Sequence, residues 1–399
     1  MTGLRVVLIS RRFWPLVGGA EKAIADLATG LRRRGAEPTI LTAKWDPDWP
    51  ARVHYYDAPV IRLSNPRGLG WGTFRYMVAL SRWLRRNRDQ IDVVCVSRLR
   101  FDAYAAIGAL RGTNIPVVLR AEGAGPAGDC GWQRRSRFGG RFRRRCQRAE
   151  AIVAPDEAVE RELHQTGYAA ERIVQIPDSV TPGTRVDGGS RLDARLALAS
   201  VNNDMNVAVD AQVAVCISRL SKSKGLTRLV KAWRPVLLRW PTARLWLIGD
   251  GPERDKLYRQ TVNLNLQRSV VMPGTFEEVD GVLKAANVFV HPGDEPGIPR
   301  ALLEAIAAGI PVVAAETRDL RQHEGIAGIH TELVPPEDPT ALAGAIIRVM
   351  EQPPPKQTLQ AARSRILQQH SPNRMTREYM RLFESVTRRP VRSIEGGES

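Results

Sequence analysis

Residues 288–316 read VFVHPGDEPGIPRALLEAIAAGIPVVAAE. VFVHPG (288–293) is an apolar run broken by proline and glycine, ALLEAIAAG (301–309) carries strong helix formers up to a glycine stop, and PVVAAE (311–316) is apolar again. Apolar periodicity and stop signals predict strand, helix and strand, and strands apolar along their whole length are those covered on both faces. The stretch therefore predicts a parallel crossover. Its loop also raises a chemical question, because Asp294 and Glu295 meet Pro296 just before the helix.

The same alternation runs outward from this unit. Strand-like runs lie at 213–220, 243–251 and 268–274, with helical LTRLVKAWRPVLLRW (226–240), VDGVLKAAN (279–287) and PTALAGAIIRVME (339–351). An earlier series has strands at 4–10, 37–43, 59–64, 92–97, 116–122, 151–155 and 172–177, with helices at 20–35, 73–88 and 157–167. Such alternation implies α/β architecture with parallel, doubly wound sheets. A chain of 399 residues exceeds one ordinary core, so two domains are expected. Residues 182–211, rich in Pro, Gly, Asn and Asp, are the expected linker. The division expected is 1–181, the linker 182–211, then 212–370, and a terminal helical segment 371–399 crossing back to the first domain with a frayed tail.

Composition excludes several classes. No run of about 18 apolar residues marks a membrane span, and the apolar start lacks a basic leader and cleavage site and reads as a first strand. Cys95, Cys130, Cys146 and Cys216 are scattered, without ligand spacing, which argues against a disulfide framework or zinc site and fits a cytoplasmic setting. The formal charge of +17 predicts attraction to polyanions. It is densest at Trp132–Arg148, with eight arginines and no acid. Phe138, Phe142 and Cys146 recur there at helical spacing, as on a basic helix with one apolar stripe. Such a helix can pack on its own domain with solvated arginines, dock on anionic headgroups or bind nucleic acid. No recognition motif accompanies the arginines, so nucleic acid is not an expected partner. No Gly-x-Gly-x-x-Gly follows the first strand, which argues against a dinucleotide enzyme.

Ligands of doubly wound sheets bind beyond the carboxyl ends of the strands. Gly18 and Gly19 precede a helix after the first strand; they either let backbone approach an anion or only shape the loop. Arg219 and Lys224 lie five apart beyond another strand, a spacing that suits a diphosphate or solvated surface cations. Gly249 and Asp250 begin a turn that can pass a flat ring or merely reverse the chain. Glu304, about one and a half turns into the helix that begins near Gly297, Ile298 and Pro299, can accept from two sugar hydroxyls at once.

In combination these motifs resemble the retaining glycosyltransferases of family 4, which have the GT-B fold of two Rossmann-like doubly wound domains facing a central cleft. The matches are Gly18-Gly-Ala-Glu21, Arg219-Leu-x-x-x-Lys-Gly225, Gly249-Asp-Gly-Pro252, the helix from Gly297 through Glu304, Gly309-Ile-Pro-Val-Val, and Leu333-Val-Pro-Pro before Asp338-Pro-Thr-Ala-Leu. They span roughly residues 4 to 386 in the family's order.

The resemblance implies transfer of a sugar from a UDP- or GDP-linked donor to a glycan or lipid-linked acceptor with retained configuration, in bacterial surface polysaccharide or glycolipid synthesis. It implies donor contacts from Gly18, Gly19, Arg219, Lys224, Gly249, Asp250, Gly297, Ile298, Pro299 and Glu304. Arg219 and Lys224 would neutralise the diphosphate and Glu304 hold the ribose, with no metal and no cofactor beyond the nucleotide-sugar substrate. An anionic membrane surface, met through residues 132–148, is a further expected partner, with the enzyme peripheral on the inner face of the membrane.

Three departures bear on catalysis. Pro296 stands where the family has a sugar-facing Glu, so Glu295, Asp294 or no residue takes that role. Glu122 falls near the place of the family's first-domain His. Asp178-Ser-Val-Thr replaces Asn-Gly-Val-Asp. A catalytically weak member that binds a nucleotide sugar or a partner without transfer is the alternative.

Overall fold

The computed structural model describes residues 3–16, 18–56, 58–66, 70–181, 183, 188–323, 325–326 and 331–387. The described chain divides into two units, one running to Ser179 and including Pro372–Thr387, the other Val180–Ser371.

In the first unit the strands are β1 (Arg5–Ile9), β2 (Glu37–Lys44), β3 (Arg52–Tyr55), β4 (Ala58–Ser64), β5 (Val93–Ser97), β6 (Val117–Arg120), β7 (Ala151–Ala154) and β8 (Ile173–Gln175). They form one sheet in the order β3-β4-β2-β1-β5-β6-β7-β8. All neighbours are parallel except the β3–β4 hairpin. Helices α1 (Gly19–Arg33), α2 (Trp71–Arg86), α3 (Phe101–Ala109), α4 (Asp129–Arg135), α5 (Gly139–Cys146) and α6 (Glu157–Gln165) connect them. One face of the sheet packs Tyr76, Leu80 and Leu84 of α2 with α3 and Cys146 of α5; the other packs Ile24, Leu27 and Leu31 of α1.

The second unit carries α7 (Gly188–Val201), β9 (Val213–Ile217), α8 (Leu226–Arg239), β10 (Arg244–Ile248), α9 (Arg254–Asn263), β11 (Val270–Gly274), α10 (Asp280–Ala285), β12 (Val288–His291), α11 (Arg300–Ala308), β13 (Val312–Ala315), α12 (Arg318–Gln322), β14 (Thr331–Val334), α13 (Pro339–Glu351) and α14 (Lys356–Gln369). Its sheet runs β11-β10-β9-β12-β13-β14, wholly parallel. Residues 288–316 are the expected crossover, β12–α11–β13, with Gly309 left-handed (φ +79°) at the helix stop.

Helix α15 (Pro372–Thr387) returns to the first unit, where Met375, Tyr379 and Phe383 are buried beside α1. Thr376 lies so close to Gly30 that a Cβ on Gly30 would stand 2.0 Å from its Oγ1, so glycine is what lets α1 and α15 approach. Of the expected frayed tail, residues 387–399, Thr387 ends α15 and the rest lies outside the described residues.

Three expectations need correction. The 182–211 linker is largely helix α7, packed on the second unit through Ala194 and Leu198. Its buried Arg195 donates to the carbonyls of Ala285 (3.1 Å) and Val209 (3.0 Å) and to Asn287 Oδ1 (2.8 Å), satisfying backbone groups a free linker would leave to water. The basic stretch 132–148 is two short helices, broken where Ser136 is extended (ψ 134°). Phe138 thus leaves the stripe and is 51% exposed, whereas Phe142 and Cys146 are buried. The edge strands β3 and β14 were not expected; RVHY and TELV are short and lack an apolar run.

Candidate functional site

Strand order reverses between β9 and β12 in the second unit, and ligands of such sheets bind beyond the strand ends at that point. The loop after β9 carries Arg219 and Lys224, and the loop after β12 carries Asp294 and Glu295. Gly225 opens α8 in a left-handed conformation (φ +66°), and a Cβ there would stand 2.2 Å from the Pro292 carbonyl oxygen, which is why the two loops touch. Lys224 Nζ donates to Glu295 Oε2, a close ion pair between residues 71 apart in sequence. Both side chains are about one-quarter to one-fifth exposed (26% and 20%), so water still reaches the pair. Arg228, one turn into α8, donates to Asp294 Oδ1 (3.2 Å) and to the Pro292 carbonyl (2.9 Å). Residue 295 precedes a proline and is confined to extended backbone, and it is the carboxylate that meets the lysine.

Arg219 is exposed, and its loop is joined to the next strand end, because Leu220 N donates to Asp250 O (3.0 Å). Gly249 (φ +134°) sits against Ser218 O, where a Cβ would come within 2.0 Å. Gly297 (φ +95°) donates its N–H to Asp319 Oδ2 (2.8 Å), so that amide is already used. Ile298 and Pro299 follow it, and Pro299 caps α11. On α11, Arg300 Nε donates to Glu304 Oε1 (3.0 Å), and both side chains are nearly covered, at 10% and 13% exposure. Arg300 begins a helix that has no acid in its first turn, an unfavourable place for a cation. The pairing with Glu304 offsets that cost.

His291 ends β12 in full burial, and burial, with the nearby Lys224 charge, pushes its pKa down to about 3. It is neutral beside the ion pair at physiological pH.

In the first unit the reversal lies between β1 and β5. Gly18 is extended (φ −179°), and a Cβ there would stand 2.2 Å from Glu21 Oε2. The glycine thus makes room for the chain's own carboxylate at the start of α1. Glu21 is buried, its pKa raised chiefly by that burial, with Arg12 Nε 3.8 Å away. Glu122 is anchored on every side: Ser97 Oγ and Arg120 Nη1 (3.2 Å) reach Oε1, and Arg98 Nε reaches Oε2 (2.6 Å). Its N–H donates to Asp129 Oδ2 (3.0 Å). Arg120, itself buried, holds Asp178 with two 2.6 Å bonds from one amino group. A carboxylate so fully engaged orients neighbours better than it shuttles protons.

The structure therefore joins Lys224 with Glu295, the Arg219 loop with Asp250, and Glu304 with Arg300. Sequence reasoning did not single out Arg228, Arg300, His291 or Arg98. Arg300, four residues before Glu304 on one face of α11, could have been found from spacing alone; the others depend on long-range packing. Among the described residues no group of three or more His, Cys, Asp or Glu is placed to hold a metal ion, and no helix is long and apolar enough to cross a membrane.

Comparison with known proteins gives the geometry its context. Residues 17–183 match the family model Glycosyltransferase Family 4, and residues 211–352 match Glycosyl transferases group 1. The chain is 30% identical over 384 residues to the lipopolysaccharide core biosynthesis glycosyltransferase LpsD of Rhizobium meliloti, covering 92% of this chain and 95% of that one. It is 26% identical over 345 residues to a GDP-mannose-dependent alpha-mannosyltransferase of Mycobacterium tuberculosis, covering 80% and 82%. Among solved structures, sucrose-phosphate synthase from Thermosynechococcus elongatus has a TM-score of 0.79 at 20% identity, covering 96% of this chain and 99% of that one. HepE of Anabaena, solved with UDP and glucose, has a TM-score of 0.74 at 19% identity, covering 96% and 100%. At such identities these two likenesses are ones of fold.

Proposed function

The chain belongs to the family 4, group 1 glycosyltransferases of GT-B fold, related to enzymes of lipopolysaccharide and polysaccharide synthesis, and on that premise we propose how it works. The donor is a UDP- or GDP-linked hexose, bound by the second unit, and the acceptor is a glycan or a lipid-linked sugar, taken by the first. Transfer retains the anomeric configuration.

The observation that carries this reading is the meeting of Lys224 and Glu295 at the β9/β12 reversal. A diphosphate arriving there replaces Glu295 as the partner of Lys224, with Arg219 supplying a second cation and Gly249 and Asp250 forming the adjoining turn. Glu295, released, faces the transferred sugar in place of the acid that Pro296 lacks. Glu304, set by Arg300, accepts from the ribose hydroxyls, and Gly297, Ile298 and Pro299 lead the backbone past the donor. When the bond between the sugar and the phosphate breaks, the nucleoside diphosphate leaves with the electron pair. The two cations and the adjacent helix starts stabilise its charge without a metal, the largest electrostatic contribution to the rate. The acceptor hydroxyl forms the new bond and gives its proton to the departing phosphate oxygen. In the first unit Glu122 holds Arg98 and Arg120 in place, and Gly18 and Gly19 form the loop that takes the acceptor.

The exposed arginines of α4 and α5, with Phe138, suit an anionic inner-membrane surface, on which the enzyme is peripheral.

Calorimetric titration of UDP- and GDP-sugars into wild type and Glu304→Ala tests the assignment. Loss of a charge-assisted bond to ribose should weaken donor binding by about ten-fold or more, in a chain that still folds although loss of the partner of Arg300 lowers its melting temperature. Unchanged donor affinity refutes the placement of Glu304. Donor binding with neither hydrolysis nor transfer would favour a binding protein over an enzyme.

A further inference from the structure

Beyond the donor residues, one arginine at the β1/β5 reversal of the first unit is built unlike the chain's structural ion pairs. Arg98, the first residue after β5, has φ +74°, a left-handed conformation that costs a non-glycine residue on the order of 1 kcal/mol or more. The surroundings enforce it. Arg98 N donates to Arg120 O (2.9 Å), and the next amide, of Leu99, donates to buried Asp129 Oδ2 (3.1 Å). The guanidinium is fixed by one edge only, through Nε to Glu122 Oε2 (2.6 Å), and Glu122 is itself immobilised by Ser97 and Arg120. Among the described residues the two terminal amino groups of Arg98 have no hydrogen-bond partner, and its side chain is 41% exposed. Arg120 shows the contrast, with its terminal groups spent on Asp178 and Glu122.

A second cation is at hand. Arg12, just past β1, is 43% exposed and has Glu21 3.8 Å away. Arg12 and Arg98 both act electrostatically on buried Glu21, so the two cations share one neighbourhood. An open guanidinium fork on a fixed mount matches two oxygens of one oxyanion, and a second cation adds charge without needing a fixed geometry.

We propose that Arg98, supported by Arg12, forms an anion subsite in the first unit that binds a phosphate or carboxylate carried by the acceptor. The assignment to the acceptor rests on the reading that the first unit takes it; the anion site itself does not. Glu122 and Asp129 are the mount, and the strained turn after β5 is what presents the fork.

The test uses the full chain in an Arg219→Ala/Lys224→Ala background, which silences donor-side anion binding. Inorganic phosphate, pyrophosphate and D-glucuronate are titrated separately, reading thermal stabilisation and heat of binding. Saturable binding is expected, weakened about ten-fold or more in Arg98→Gln and also weakened in Arg98→Lys, which keeps the charge but loses the fork. A preference for phosphate or for glucuronate identifies which group the acceptor carries. Equal affinity in Arg98→Gln and its parent overturns the proposal, as does unsaturable binding in the parent, which marks an adventitious ion only. If Arg98→Gln does not fold, Arg98→Lys decides: parental affinity in that variant overturns the fork. Failure of the donor reading would show in Glu304→Ala and would leave this titration unchanged.

Discussion

Lys224 meets a carboxylate of its own chain where the donor diphosphate is proposed to sit, so binding is an exchange of one anion for another. An ion pair that water still reaches contributes about 1 kcal/mol at most. Glu295→Gln removes the competing anion, and UDP or GDP should then bind up to about five-fold tighter, the equivalent of that energy. If Glu295 also faces the transferred sugar, turnover should fall in the same variant although binding improves. Titration of the nucleoside diphosphate alongside kcat separates the two effects; unchanged affinity would show that the pair does not occupy the diphosphate position. At this scale the sequence was informative for residues whose partners lie on the same loop or helix. Glu304, Lys224 and the Asp294–Glu295 pair were singled out from spacing and motif. That Glu295 rather than Asp294 meets Lys224 was not, because the choice depends on how Gly225 lets one loop settle on the Pro292 carbonyl. Arg98 was illegible for a related reason: its turn is set by Arg120 and Asp129, distant in sequence.

At the scale of elements, long apolar runs carried the reading and mixed ones failed it. Interior strands such as β1, β5, β9 and β12 are apolar because both faces are covered, whereas the edge strands β3 and β14 have no such requirement and left no signal. Helix α7 was hidden by the glycines and prolines around it, although its RLDARLALA core has helix formers and one arginine whose partners are two carbonyls and an amide. The basic stretch taught the opposite lesson. Its spacing suggested one helix, but Ser136 ends α4 and Gly139 packs so tightly on Gln133 that a Cβ would stand 1.6 Å from its carbonyl oxygen. Two short helices result, with Phe138 exposed at the joint and Arg137 and Arg141 at 5.6 and 5.7 Å from its ring. An anionic bilayer should bind this element through charge, at about 1 kcal/mol per basic residue near the surface. Arg141→Glu/Arg144→Glu should therefore reduce co-sedimentation with phosphatidylglycerol vesicles about ten-fold or more, leave the weak association with phosphatidylcholine unchanged, and keep the fold. Equal co-sedimentation of variant and wild type would return α5 to a solvated surface.

For the whole molecule, the two units should answer acid differently, because each buries an ionisable group of the other kind. In the second unit His323 stacks on His370 (centroids 5.6 Å apart), and burial first, then the charge of His370, pushes its pKa from 6.5 down to about 4. Between those values the unfolded chain binds a proton at His323 that the folded chain refuses, so stability falls as pH drops through that window. The full shift corresponds to about 3 kcal/mol, and partial contact with solvent reduces the expected loss to about 2 kcal/mol. In the first unit Glu21 has its pKa raised from 4.5 by burial, so the folded state takes up its proton before the unfolded state does. Its contribution has the reverse sign, and stability from this group rises as pH falls through the raised value towards 4.5. Hydrogen exchange at pH 7, 5.5 and 4.5 should show protection lost first in the strands around β13, which neighbour the His323 segment, while the strands beside α1 keep theirs. His323→Gln should reduce the acid response of the second unit, leaving the part that buried His291 contributes with the same sign, and leave that of the first unit alone. Parallel loss of protection in both units, or an unaltered profile in His323→Gln, would place the acid sensitivity elsewhere.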